Sequence, residues 1–174
     1  MCAQPSNNKI HDLLQQIRRN HALEHATVHL LSQRFPDIAL IGRSDNKGFF
    51  IFGDVPSDVL HNVVDEALNR LRNGEHQLAI HPNCGTNLVT SATLAGFASF
   101  LSLFGSKNEG WRKRFERLPY AIMLTVVALL IAQPLGSVLQ RRYTTTTDLG
   151  ALSVHSIQRV ERGSSFYFRV LTRG

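Results

Sequence analysis

The spacing of apolar residues predicts a helix and a β-hairpin at the start of the chain. Between residues 10 and 34, apolar residues recur every three or four positions, which is the period of an amphipathic helix, and Pro36 ends it. The apolar runs IALIG (38–42) and GFFIFGDV (48–55) then predict two strands. The residues between them, RSDNK, have the composition of a turn.

Further elements follow on either side of a long apolar region. Residues 56–74 predict a second amphipathic helix that ends at a glycine, and HQLAIHP (76–82) predicts a short strand. Near the other end, ALSVHSIQRV (151–160) and SFYFRVLT (165–172) predict a C-terminal β-hairpin. We expect this hairpin to join the first sheet, because an isolated hairpin is only marginally stable in water.

Two segments without charged residues predict a transmembrane helical hairpin. Residues 87–106 and 118–140 contain no Asp, Glu, Lys or Arg. Each is long enough to cross the ~30 Å hydrocarbon core of a bilayer, which takes about 20 helical residues. The loop between them, residues 107–117, is rich in Lys and Arg. Such a loop serves as an orientation signal and contacts lipid headgroups.

The fold class predicted from these patterns is α+β, in three parts. Residues 1–86 form a water-facing domain in the order helix, strand, strand, helix, strand. Residues 87–140 form the transmembrane hairpin, and residues 141–174 form a β-hairpin that packs on the first domain. The expected location is a membrane, in which the chain is integral. Its sidedness stays open, because Arg141 and Arg142 place positive charge beyond the second span as well.

Composition narrows the range of partners. The net charge is +6, and we interpret the basic loop as a contact for lipid headgroups, so the expected partners are the bilayer and a protein in the membrane. Basic and aromatic residues do not alternate on a folded face, so we expect no nucleic-acid binding. Two cysteines exclude a disulfide framework, and the N-terminus lacks the pattern of a secretory signal.

The stretch NHALEHATVH (20–29) suggests metal chemistry. On a helix, His21, His25 and His29 lie on one face, and Glu24 lies beside them. Histidine rings at this spacing can bind zinc through ring nitrogens. A neighbouring glutamate can take a proton from a water whose pKa the metal lowers.

A second group of possible ligands precedes the first apolar segment. In HPNCGTN (81–87), His81 and Cys84 are three positions apart. Two ligand sets therefore stay open: His21 and His25 with His81 and Cys84, or with His29. In the alternative interpretation the histidines line a polar interface through hydrogen bonds, and HPNCGTN is a turn that caps the following helix. The other histidines, at positions 61, 76 and 155, are interpreted as surface residues.

HALEH reads H-x-x-E-H, which resembles the zinc motif of the inverzincin metallopeptidases. The resemblance extends over about residues 13–73, where a strand and an amphipathic helix follow the motif helix. It implies that His21 and His25 are zinc ligands and that Glu24 is the general base. In that family a downstream glutamate is the third ligand, and neither Glu66 nor Glu75 stands clearly at that place.

The chain also resembles, over most of its length, a group of small uncharacterised membrane proteins of photosynthetic and related bacteria that have two spans. The likeness lies in NHALEHATVH, GFFIFG and IHPNCGTN. It implies the architecture and a bacterial inner or thylakoid-type membrane as the location, and it is silent about activity. Two functions are therefore expected as alternatives. One is a membrane-anchored zinc hydrolase or peptidase. The other is a non-catalytic membrane assembly or scaffold protein, whose histidines are structural or ligate a tetrapyrrole.

Overall fold

A computed structural model describes residues 6–81, 84–103, 115–163 and 165–174. The fold is mixed α+β, with four α-helices and a four-stranded antiparallel sheet in these residues. The elements are α1 (Ser6–Arg34), β1 (Ile41–Asp45), β2 (Gly48–Phe52), α2 (Ser57–Arg72), a 3₁₀ turn (His76–Ala79), α3 (Gly85–Leu103), α4 (Leu118–Leu139), a π-helical turn (Gln140–Thr144), β3 (Ser153–Arg162) and β4 (Ser165–Arg173).

The chain divides into two compact units. The first unit contains Met1–His81 and Arg141–Gly174, and the second contains Pro82–Gln140. The first unit is therefore built from two separate stretches of the chain. They meet in the sheet, whose strand order is β1-β2-β4-β3. β4 pairs with β2, with Phe49 opposite Val170 and Ile51 opposite Phe168.

The core of the first unit lies between one face of the sheet and the two helices α1 and α2. Phe49 and Ile51 of β2 alternate with more exposed neighbours, so their side chains share the covered face. Burial of each large apolar side chain stabilises the fold by roughly 1.5–3 kcal/mol. The largest buried apolar residues of this core are Leu23, Leu31, Phe49, Ile51, Leu60, Val63, Val64, Leu152, Phe168 and Val170.

Polar contacts fix α1 on the sheet. The side chain of Asn20, which is fully buried, donates a hydrogen bond to the backbone carbonyl of Asp45 at 2.8 Å. It also accepts one from the hydroxyl of Thr172 at 2.6 Å. The carboxylate of Asp45 is in turn paired with Arg169 at 2.8 Å. These bonds join α1 to β1 and β4, and they set the position of the helix one residue before His21.

Two sequence predictions in this unit are corrected. The first strand runs over Ile41–Asp45 instead of 38–42, because pairing with β2 continues down to a tight turn in which Lys47 N–H bonds to Asp45 Oδ1 at 2.8 Å. The strand predicted over 76–82 is wrong, and with it the last element in the order helix, strand, strand, helix, strand. α2 ends at Arg72, Gly74 turns the chain with its positive φ of 94°, and His76–Ala79 then forms a 3₁₀ turn.

The second unit consists of α3 and α4 packed together. The side chain of Gln140 donates a hydrogen bond to Asn87 Oδ1 at 2.7 Å, and the hydroxyls of Ser99 and Thr125 are 2.9 Å apart. The start of α3 thus meets the end of α4, so the two helices are antiparallel. Many of their apolar side chains are exposed, including Leu88, Val89, Phe97, Tyr120, Met123 and Leu130.

Among the described residues, one helix, Leu118–Thr144, is long and apolar enough to cross a membrane. It covers the second of the two predicted spans. The first predicted span, 87–106, overlaps α3 for most of its length. Most of the predicted basic loop 107–117 lies outside the described residues. The structure therefore supports membrane association through one apolar helix.

Candidate metal centre

The middle of α1 is enclosed on all sides, so its polar residues are buried with it. Residues 22–28 are all buried, and the side chains of Glu24 and His25 lie within this stretch. A buried ionisable group costs free energy unless it has polar partners. The partners of these residues therefore define what the segment can do.

Two backbone carbonyls orient the imidazoles of His21 and His25. His25 Nδ1 lies 2.7 Å from the carbonyl oxygen of Ala79, in the 3₁₀ turn. His21 Nδ1 lies 3.0 Å from the carbonyl oxygen of Thr144. Because a carbonyl only accepts hydrogen bonds, Nδ1 must carry the proton in both rings. The lone pair of each neutral ring is then on Nε2, which is the arrangement that outer partners impose on histidines that ligate metals.

The two rings lie close enough to share one ion. Their centroids are 4.2 Å apart, with an angle of 63° between the ring planes. Their ligand nitrogens lie within 4.8 Å of each other. Two nitrogens bound tetrahedrally to one zinc ion at ~2.0–2.1 Å are roughly 3.4 Å apart, so the two rings lie in the range of separation that a shared ion requires.

Glu24 lies against His21 in a pocket that has no room for a larger neighbour. Its Oε2 is 3.7 Å from His21 Nε2, which is too long for a hydrogen bond. Burial raises the pKa of the Glu24 carboxyl to about 7, and the charge of His21 opposes this effect. On the other side, a methyl group on Gly42 would come within 1.9 Å of Glu24 Oε1. The absence of a side chain at Gly42 in β1 thus provides the space for the carboxyl group.

His29 and His81 extend the pair into a histidine cluster, which we define as His21, His25, His29 and His81. The ring of His81 lies 6.0 Å from that of His25 and 6.5 Å from that of His29. His29 Nε2 is 3.0 Å from the side-chain nitrogen of Gln33. Burial lowers the pKa of His81, and the neighbouring His25 and His29 lower it further. His81 therefore favours the neutral form, which is the form that binds metals.

Cys84 is the candidate ligand that belongs to the second unit, three residues after His81. Its side chain is buried, and its Sγ accepts the N–H of Thr86 at 3.4 Å. Cys84 stays the sulfur ligand that the sequence predicts beside His21 and His25. Nitrogen and sulfur ligands together are typical of zinc sites.

Sequence reasoning proposed the histidines, Glu24 and Cys84 as site residues, and it missed the backbone groups that orient His21 and His25. The carbonyls of Ala79 and Thr144 left no signal in the sequence, because every residue has the same backbone carbonyl. Gly42 did have one, since a glycine within a strand marks a close approach of another group. Glu66, considered as a ligand in the sequence, instead pairs with Arg34 and Arg70 at the surface.

The fold and the histidine cluster together define an α+β protein that combines a candidate metal site with an apolar helix of membrane-spanning length. Residues 16–157 match the family described as a domain of unknown function, DUF6391, and the chain belongs to this family. An uncharacterised protein of Picosynechococcus sp. is 36% identical over 162 residues, covering 82% of this chain and 71% of that protein. No solved structure matches the chain. The family match and this relative agree with the predicted resemblance to an uncharacterised cyanobacterial group. The description of the family names no activity.

Proposed function

We propose that this chain is an integral membrane protein that binds zinc on α1 and acts as a metal-dependent hydrolase, with peptide bonds as the first candidate substrate. The observation that carries the proposal is the pair of hydrogen bonds from His21 Nδ1 and His25 Nδ1 to backbone carbonyls. A histidine at a polar interface needs a partner only for stability. Two adjacent rings that are both held with Nε2 as the basic nitrogen are prepared for a cation.

His21 and His25 are the proposed ligands through Nε2, and Cys84 is the proposed third ligand. His29 and His81 are the alternatives for that place, because their rings belong to the same cluster. When bound, zinc acts as a Lewis acid and lowers the pKa of water toward about 7. With four protein ligands the site would be closed and structural, whereas three leave a position for water and chemistry.

Glu24 is the proposed general base. A base is most effective when its pKa is near the working pH, and burial brings the pKa of this carboxyl to about 7. Its ionised form can accept a proton from water beside His21 and then return it to a leaving amine. Gly42 allows the carboxyl to occupy this position, since a side chain there would displace it.

The metal site is tested by elemental analysis of the full chain purified in detergent. The test variant is His21→Ala with His25→Ala, and the matched control is His61→Ala with His155→Ala, which removes two exposed histidines. We expect about one zinc per chain in the wild type and in the control, and almost none in the test variant. Equal metal contents in the two double variants would refute the proposed ligands.

Hydrolysis is tested separately from metal binding. The full chain is incubated with a casein-derived peptide mixture, and mass spectrometry detects new peptide ends. Glu24→Gln keeps the size of the side chain but cannot accept a proton, so we expect loss of turnover with unchanged metal content. Turnover that survives in Glu24→Gln would remove the base role while leaving the metal site intact.

Membrane integration rests on the second unit. We propose that α3 and α4 cross the bilayer as a hairpin, because both expose apolar residues along their length and α4 has the length of a span. The lipid bilayer is then a partner of the chain. Alkaline extraction of membranes tests this, since an integral protein stays in the pellet and a peripheral one is released.

The same exposed surface favours a second candidate function, in which the chain assists assembly of another membrane protein. Aromatic residues such as Phe97 and Tyr120 are well exposed on these helices and would be covered by lipid or by a partner in the membrane. The histidines would then be structural or ligate a tetrapyrrole. A cellular phenotype of gene deletion that Glu24→Gln fully rescues would favour this function over hydrolysis.

A further inference from the structure

A basic cleft lies in the first unit, apart from the histidine cluster. Its volume is about 550 Å³. Residues from three stretches of the chain border it: α1, the 3₁₀ turn, and the segment that follows α4. The polar side chains at its border are Arg18, His76, Gln77, Arg141, Thr145, Thr146 and Thr147.

The charges around the cleft have one sign. Arg18 and Arg141 supply two guanidinium groups, and His76 adds a third positive charge when it is protonated. None of the described residues at the border carries a carboxylate. Glu75, which precedes His76, is already paired with Arg70 at 2.5 Å. Without an anion, these like charges would repel one another around the same space.

Arg18 is held in place by the wall of the cleft. Its Nε and Nη2 donate to the carbonyl oxygen of Thr145 at 3.2 and 2.9 Å, and Nη2 also donates to that of Arg142 at 3.3 Å. These bonds use one edge of the guanidinium group. Nη1 makes no hydrogen bond within the described part of the chain. A fixed guanidinium with donors to spare, next to threonine hydroxyls, is suited to the oxygens of a phosphate group.

We propose that this cleft binds a phosphate-type anion, supplied either by a lipid headgroup or by free phosphate. The second charged residue, Arg141, belongs to the helix Leu118–Thr144, whose composition suits a bilayer. Positively charged residues at the end of such a helix contact lipid headgroups. His76, interpreted from the sequence as a surface residue, gains a role as a donor to this anion.

Occupation of the cleft is linked to the orientation of the histidines. Ala79 borders the cleft and accepts the hydrogen bond of His25. Thr145, which also borders it, follows Thr144, the acceptor for His21. An anion that orders these two backbone segments also fixes the carbonyls that orient His21 and His25. The anion site itself is independent of the proposed metal and hydrolysis.

The test measures phosphate binding to the full chain in a maltoside detergent, which contains no phosphate. Equilibrium dialysis with labelled inorganic phosphate examines the free anion. Native mass spectrometry with dihexanoyl phosphatidic acid examines the lipid headgroup, and a maltoside-solubilised diacylglycerol, which lacks phosphate, is the lipid control.

The variants are Arg141→Ala and Arg141→Glu, because Arg141 is exposed and its replacement spares the packing around Arg18. The matched control is Arg43→Ala, which removes another exposed arginine, in β1.

We expect Arg141→Ala to weaken binding of the anion roughly tenfold, which is the effect of losing one charge-assisted hydrogen bond, and Arg141→Glu to abolish it. Arg43→Ala should bind as the wild type does. Binding of inorganic phosphate identifies a site for the free anion, and binding of phosphatidic acid alone identifies a headgroup site. Absence of both, or an equal loss in Arg43→Ala, would overturn the proposal. Because metal content is not measured, this result is separate from that of the zinc experiment.

Discussion

The burial of Glu24 makes a quantitative prediction about how stability depends on pH. Burial raises the pKa of its carboxyl from 4.5 to about 7. In the unfolded chain the carboxyl returns to its ordinary pKa, so between these two values the folded state binds more protons than the unfolded state. The free energy of unfolding therefore falls as the pH rises through this window. A carboxylate in an ion pair has the opposite effect, because its lowered pKa makes the free energy of unfolding rise with pH.

The size of the effect follows from the same two values. A difference of one unit between the pKa values in the folded and unfolded states corresponds to about 1.36 kcal/mol. The interval from 4.5 to about 7 thus predicts a loss of about 3 kcal/mol, complete above about pH 8. Typical domains have a stability of roughly 5–15 kcal/mol, so the loss is a substantial part of the total.

The assay is equilibrium denaturation of the metal-free full chain in detergent, followed by circular dichroism between about pH 5 and pH 9. Glu24→Gln cannot ionise, so its stability should lack this decline and exceed that of the wild type by about 3 kcal/mol at the upper end. Glu161→Gln, which changes an exposed glutamate of β3, is the control and should follow the wild type. Parallel pH profiles for the wild type and Glu24→Gln would show that the carboxyl is solvated, and the reasoning would fail.

Three further predictions concern the surroundings of the site. Gly42→Ala should displace the Glu24 carboxyl, because the new methyl would lie 1.9 Å from Oε1. Turnover should then fall at least tenfold while the metal content stays unchanged. The control Gly96→Ala, where no atom lies within 4 Å of the new methyl, should change neither turnover nor metal content. Thr172→Val should lower the free energy of unfolding by about 1–3 kcal/mol, because Asn20 Oδ1 loses its buried donor; denaturation compared with that of Thr147→Val, at an exposed position, measures this. Removal of zinc by a chelator should lower the midpoint of thermal unfolding of the wild type. Thermal unfolding of the variant with both His21→Ala and His25→Ala should show no such shift.

Residues that repeat a regular period were predictable from the sequence. The step of four between His21, His25 and His29 placed the imidazoles on one side of α1, and alternation predicted the paired strands near both ends of the chain. The 3₁₀ turn was mistaken for a strand because four residues are too few to show a period. The true start of β1 depended on pairing with β2, which the apolar run alone does not reveal.

The candidate site was predictable in its residue types and not in its geometry. HALEH indicates ligands and a base from their spacing, yet the orientation of both rings depends on the carbonyls of Ala79 and Thr144, which are distant in the chain. Likewise, the pKa of Glu24 depends on burial of the whole middle segment of α1. Such long-range packing has no local signature, because a short motif does not specify which distant residues will surround it.

The position of β4 within the sheet has a consequence for biosynthesis. β4 lies between β2 and β3, yet it is encoded after the apolar helices α3 and α4. While the ribosome is still translating those helices, β2 presents an unpaired edge and the apolar side of α1 lacks part of its cover. Completion of the first unit must therefore wait until residues 165–173 have emerged, and a nascent chain arrested before that point should be a target for chaperones and proteases.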